Sequence, residues 1–177
     1  MGRLISTTLA VLLFTVSLVV TADAATSKKN FDKLCGEILE SLQSFYPVQA
    51  TWMGVHSYDH RLADYSDRSV RDMQNKLADY TKRLYQYRSY KFDSADEIDF
   101  KLIRSNVEMT MVDLKQIAWH KKSPQLYVDE AVDGVYSLLM SQHAPLSERL
   151  LSIIARMKQV PDVFATAKRN LNKPPEV

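Results

Sequence analysis

His56, Tyr58, Asp59, His60, Arg61 and Asp64 crowd one short segment behind Trp52 and Gly54. Polar and aromatic groups gathered on a loop point to function more strongly than the same groups on a helix face. His56 and His60 stand four apart with Asp59 between them. On a helix both imidazoles would share one face, and a carboxylate could complete a zinc site. Gly54 just ahead disfavours a regular helix, and no fourth ligand lies nearby in the sequence, so the expectation is no metal here. The structural alternative has Asp59 accepting from loop amides, Arg61 pairing with Asp64, and Tyr58 packing.

Other groups with chemical potential have simpler uses. Asp96, Glu97 and Asp99 could pair as carboxylates for acid–base work. Ser94 followed by Glu97, however, reads as a capping box at a helix start. Glu108 and Asp113 read as solvated face residues. Asp129 and Glu130 open a helix, His120 ends one beside Lys121, and His143 falls in a loop before Ala144 and Pro145. Tyr80, Tyr85, Tyr87 and Tyr90 could line a groove for peptide or glycan, although aromatics at helical spacing more often form core. No serine or cysteine nucleophile arrangement and no glycine-rich phosphate loop is present. Cys35, the single cysteine, excludes an intramolecular disulfide and reads as a buried thiol.

The elements that must position these groups read as helix after helix. Phe31, Leu34, Cys35, Ile38, Leu39, Leu42 and Phe45 repeat at the helical period. Pro47 ends that helix or opens a short one through Val48, Trp52 and Met53, with Gly54 as its stop. Ser66 is an N-cap with Asp67 in the first turn, and Val70, Met73, Leu77, Tyr80 and Leu84 form the next seam. A long helix over 95–120, apolar on several sides, is expected at the centre of the bundle. Val128, Val132, Val135, Tyr136 and Leu139 resume a helix up to about Ser141, and Ser147 and Glu148 open another through Leu150, Leu151, Ile154 and Met157. Pro161 starts the last helix, carrying Val163, Phe164, Ala167 and Leu171, and Asn172-Lys173-Pro174-Pro175 stops it. Four glycines and no hairpin pattern disfavour a β fold. The expected fold is all-α: a single irregular bundle of about six to seven helices over residues 25–177.

Residues 1–24 read as a signal peptide. Arg3 precedes the apolar run from Leu9 to Val20, and Ala22-Asp23-Ala24 is a small-x-small cleavage site. The run is short for a membrane span, which needs about 20 residues. Export to the periplasm or beyond is expected, with no membrane anchor after cleavage. The net charge of +2, from interspersed charges, gives no reason to expect nucleic acid.

Gly54, His56, Tyr58, Asp59, Arg61, Leu62, Asp64 and Ser66 resemble the "Gly-x-His-x-Tyr-Asp-x-Arg-Leu-x-Asp-x-Ser" stretch of the bacterial domain of unknown function family 885. That family is regarded as zinc metallopeptidases. Asp96, Asp99 and Leu102 are similar to its "Asp-x-x-Asp-x-x-Leu-Leu" helix start. Trp119 with Pro124 and Tyr127 resembles its "Trp…Asn-Pro-x-x-Tyr" break. Arg156, Pro161, Asn170, Leu171 and Pro174-Pro175 resemble its "Arg-x-x-x-Ile-Pro…Asn-Leu-x-x-Pro-Pro" stretch. His60 stands where a second acidic residue is usual, and Ser123 where an Asn is.

The family's His-Glu-x-x-Pro-Gly-His metal motif has no counterpart in this chain, so no catalytic residue carries over. The resemblance implies an N-terminal, non-catalytic portion of a longer hydrolase, or a truncated copy ending at Val177. It implies zinc only in the downstream part of a full-length protein, and that missing C-terminal catalytic part as partner. It further implies that His56, Tyr58, Asp59 and Arg61 line a cleft for a peptide-like substrate. A self-contained exported helical module that binds a partner, with no enzymatic activity, is the alternative.

Overall fold

The computed structural model describes residues 27–171, all-helical with six α-helices and no strand among them. The expected signal peptide and the Asn172–Pro175 stop lie outside the described residues. The chain divides into two compact units, Met1–Glu37 and Ile38–Val177. Helix α1 covers 27–45. Phe31, Leu34 and Ile38 on its apolar face are buried, and Cys35 is half-buried.

Within the unit from Ile38 onward, Pro47 opens α2 (Pro47–Trp52) at its first turn. Gly54, at φ 80°, takes the left-handed conformation that ends it, with Gly54 N–H on Thr51 O (3.0 Å) and Val55 N–H on Ala50 O (2.9 Å). Helix α3 (Asp67–Tyr85) follows the expected seam: Val70, Met73, Leu77, Tyr80 and Leu84 are all buried, and the Ser66 hydroxyl accepts from Ser69 N–H. Helix α4 (Ser94–Val112) packs on α3.

Two expectations fail in α4. Its cap is Asp93 rather than Ser94: the Asp93 carboxylate accepts from the Ala95 and Asp96 amides at 3.0 and 2.9 Å, while Glu97 pairs with Lys101 at 2.7 Å. A carboxylate one residue earlier takes two free amides of the first turn, and the Glu97 amide, which the serine would have served, donates to Asp93 O at 2.9 Å. Nor is α4 central. It buries only Ile103 and Val107, and leaves Ile98, Leu102, Met109 and Val112 exposed. It stops at Val112, where a π-turn (Asp113–Ile117), left-handed Ala118 (φ 52°) and a 3-10 turn (Trp119–Lys121) redirect the chain.

Helices α5 (Pro124–Met140) and α6 (Leu146–Asn170) pack against each other, and in α5 and the first half of α6 the apolar stripe read from the sequence stays outside, whereas Val163 and Ala167 further along α6 are buried. α5 buries Tyr127, Glu130, Ala131, Gly134, Ser137 and Leu138, while Val128, Val132, Tyr136 and Leu139 are exposed. α6 buries Ile153, Arg156, Val163, Thr166 and Ala167, while Leu150, Leu151, Ile154 and Met157 are exposed. α6 also runs unbroken through Pro161, which therefore lies inside a helix rather than starting one. Small and polar residues face inward here because the neighbour is a loop, whose backbone needs hydrogen bonds and close approach. A Cβ at Gly134 would overlap Leu62 Cδ2.

Candidate functional site

That loop is the segment from Val55 to Tyr65, a strap between α2 and α3. Extended backbone buried in a helical domain must find partners outside itself, and four side chains of α5 and α6 provide them. Glu130 Oε1 accepts from Ala63 N–H at 2.6 Å, and Gln159 Oε1 accepts from Leu62 N–H at 3.0 Å. In the other direction, Gln159 Nε2 donates to His60 O (2.8 Å) and Arg156 Nε to Arg61 O (2.9 Å). Asn170 Nδ2 donates to Tyr65 O (2.7 Å) and to the Tyr127 hydroxyl (2.7 Å), which itself donates to His120 O. Leu62, Ala63 and Tyr65 fill the space beneath, with Tyr65 edge-on to Phe45 and Tyr127.

Arg156 is the hub. It is 0 % exposed. Besides Arg61 O, its guanidinium reaches Gly134 O (2.6 Å), Ser137 Oγ (3.2 Å), Thr51 Oγ1 (2.7 Å) and Pro47 O (3.3 Å). Burial pulls its pKa down, while the Asp59 and Glu130 charges pull it back up. Burial likewise raises the Glu130 carboxyl above its ordinary value, against the Ala63 amide and Arg156, which lower it.

Of the sequence-predicted site residues, the structure brings His56 and Asp59 together and adds one from far along the chain. Asp59 is buried and does not accept from loop amides. Its Oδ1 accepts from the Thr51 hydroxyl at 2.6 Å and lies 4.0 Å from Arg156 Nη2. Its Oδ2 accepts from His56 Nδ1–H at 2.9 Å and lies 3.5 Å from His143 Nε2. His143, on the α5–α6 connection, stacks its ring on His56 with centroids 3.4 Å apart and planes 12° apart. Its Nδ1 lies 2.6 Å from Ser141 Oγ. His60 is exposed on the strap, with its carbonyl held by Gln159, and is not part of this cluster.

Tyr58 is half-buried. Arg61 does not pair with Asp64. Its Nη1 donates to Ser44 Oγ (3.2 Å), and it lines a polar concavity of about 300 Å³ with Asp64, Arg68, Asp72 and Lys76. Asp64 instead accepts from the Ser66 amide and hydroxyl, at 2.8 and 3.0 Å. His56, Asp59 and Arg61 thus serve two separate surfaces.

A second, larger concavity of about 730 Å³ begins at Met53, just before the strap, and is lined by Leu39, Leu42, Tyr46, Met109 and Trp119 among others. Asp113 lies in its wall rather than on a solvated face. Burial raises the Asp113 carboxyl, and burial followed by the Asp113 charge raises the Tyr46 phenol. His120 is buried, not displayed at a helix end, and burial lowers its pKa.

A helical domain built around a polar-anchored strap defines the class of protein. The chain belongs to the family described as bacterial protein of unknown function (DUF885), which matches residues 47–176. The strap and the α6 residues that hold it fall within that match. Among solved structures, the fold is similar to "a putative lipoprotein of unknown function" from Shewanella oneidensis, with a TM-score of 0.72 and 24% sequence identity. The likeness covers 81% of this chain and 26% of that one, so the chain spans about a quarter of that protein's length. No curated protein matches the chain. No described helix is long and apolar enough to cross a membrane. The His-Glu-x-x-Pro-Gly-His set implied by the sequence resemblance is absent from the sequence, so no step of zinc chemistry can be routed through it.

Proposed function

We propose that this chain is the N-terminal, non-catalytic helical portion of an exported hydrolase of metallopeptidase type, and that its strap forms one wall of the cleft for a peptide-like substrate. His56 and Arg61 present contacts on the strap's two surfaces, Tyr58 stands between them in the sequence, and Asp59 orients His56. The observation that carries this reading is uncovered apolar surface on the domain. A concavity of about 730 Å³ begins at Met53, just before the strap. On α5 and α6, Val132, Leu139, Leu150, Leu151 and Met157 are each 41–73 % exposed. Exposed apolar surface of this extent marks an interaction site. The remaining part of a longer architecture is the natural cover, since the similar Shewanella protein extends well beyond the matched region.

The purified chain is therefore expected to bind a hydrophobic dye, to self-associate, and to release no product from peptide or ester substrates. Short peptides titrated into labelled protein should shift the resonances of His56, Tyr58 and Arg61. Turnover by the chain alone, abolished by His56→Ala, would make it an enzyme in its own right. A monomer with no dye binding and a sharp transition above about 65 °C, the upper end for mesophile domains, would instead favour the self-contained exported binding module.

A further inference from the structure

The stacked pair of histidines over a buried carboxylate has a use beyond shaping a cleft wall. We propose that His56, Asp59 and His143 form a binding site for a borderline divalent transition metal ion, zinc or cobalt(II), that ties the strap to the α5–α6 connection. One ring nitrogen of His56, one of His143 and a carboxylate oxygen of Asp59 all lie within 4.8 Å of one another. Two imidazoles and one carboxylate are a donor set that suits zinc, leaving further positions for water.

The groups behind the ligands are arranged as metal sites require. Asp59 spends its inner oxygen on Thr51 and Arg156, which fixes the carboxylate and leaves Oδ2 facing both rings. Ser141 Oγ at 2.6 Å holds His143 Nδ1, so Nε2 is the nitrogen turned to the cluster. Such partners fix ring orientation and tautomer. The connection bearing His143 is itself held: Arg149 Nε donates to Ala144 O (2.9 Å), and Arg149 Nη1 donates to Leu139 O (3.0 Å) at the end of α5.

Metal–ligand bonds of about 2.0–2.2 Å in a tetrahedral site put donor atoms about 3.3 Å apart. The His143–Asp59 separation of 3.5 Å already matches that spacing, and the His56–Asp59 separation of 2.9 Å must open by a few tenths of an ångström. The stacked rings must also fan apart so that their lone pairs converge. His56 moves its ring proton to Nε2, freeing Nδ1 for the metal. His60, suggested by its spacing from His56, has no part in this site.

Zinc or cobalt(II) chloride titrated into the chain, prepared without a histidine tag, tests the site by calorimetry and by the visible cobalt spectrum. One ion per chain is expected. His56→Ala and His143→Ala should each weaken binding at least tenfold, and His60→Ala should leave it unchanged. Circular dichroism checks that the variants fold. If either does not, zinc-induced shifts of the imidazole resonances in the unsubstituted chain decide the matter. Shifts confined to His56 and His143 support the site. No binding at 100-fold molar excess, affinity insensitive to His143→Ala, or shifts centred on His60 or His120 would overturn it.

Discussion

Replacing Arg156 by Met keeps most of the volume of a side chain that is 0 % exposed and removes every polar contact it makes. Three backbone carbonyls, at Pro47, Gly134 and Arg61, lose a charged donor, as do Ser137 Oγ and Thr51 Oγ1. Gly134 O sits within α5 and keeps a helical partner. Arg61 O lies in the strap and has no such substitute. Hydrogen bonds to charged groups contribute about 1.5–3 kcal/mol each, and a buried acceptor left unmet costs about 1–3 kcal/mol. Asp59, 4.0 Å away and buried, also loses its nearest cation. Removing one partner of a buried ion pair costs about 3–5 kcal/mol. These losses overlap, so they do not sum, and we expect Arg156→Met to destabilise by about 3–5 kcal/mol.

Against a total of about 5–15 kcal/mol, that leaves the variant marginal or unfolded. Arg156→Lys, which keeps the charge but not the planar fork, should recover only part of the loss. Urea unfolding followed by circular dichroism measures both. A loss below 1 kcal/mol in Arg156→Met would refute the reasoning, because it would mean that the strap finds its hydrogen bonds elsewhere.

Gly134→Val should destabilise by about 1–3 kcal/mol, the usual cost of overpacking, since even a Cβ there meets Leu62 and Val48; urea unfolding again reads it. Glu130 gives a pH signature. Its folded pKa is raised above the ordinary glutamate value, chiefly by burial. The native state therefore binds more protons than the unfolded chain between the two values, and stability from this group falls as pH climbs through that window. Glu130→Gln, whose amide oxygen can still accept from Ala63 N–H, should flatten the fall seen from about pH 4.5 upward. An unchanged pH–stability profile in Glu130→Gln would assign the dependence to another group.

How far the residues announced this structure depends on what each helix packs against. Helix α3 has an unbroken run of apolar residues on one side, and Val70, Met73, Leu77, Tyr80 and Leu84 are the face it buries. The end of α2 was equally plain, because only Gly54 takes a positive φ there without strain. In α5 and the first half of α6 the same rule selects the wrong side. Val128, Val132, Leu139, Leu150, Leu151, Ile154 and Met157 are exposed, and Glu130, Ser137 and Arg156 are inside. Periodicity assigns apolar residues to the core, and cannot see that a neighbouring backbone will satisfy polar ones. Pro161 misled for a related reason: buried Arg156 before it and Val163 after it keep α6 helical through a residue that would stop an isolated helix. The candidate site was half legible. His56 and Asp59 lie three apart and meet through a local turn, whereas His143 reaches them only because α5 returns alongside α2.

The resemblance motifs acquire a physical meaning from this arrangement. The strap bears Gly54, His56, Asp59, Arg61 and Leu62, while Arg156 and Asn170 belong to a stretch about a hundred residues later. They are two halves of one contact: the later residues hold the carbonyls of Arg61 and Tyr65 in the strap. An apolar core could bury a strap of this length only by leaving its amides and carbonyls unmet, at about 1–3 kcal/mol each. Four polar side chains reaching from two helices avoid that cost: they hold His60, Arg61 and Tyr65 by their carbonyls and Leu62 and Ala63 by their amides. Buried polar networks that are fully satisfied specify a single geometry more sharply than packing alone. Such precision is more than a simple connection between α2 and α3 requires. It is what a surface needs if His56, Asp59 and His143 are to meet a ligand in fixed positions.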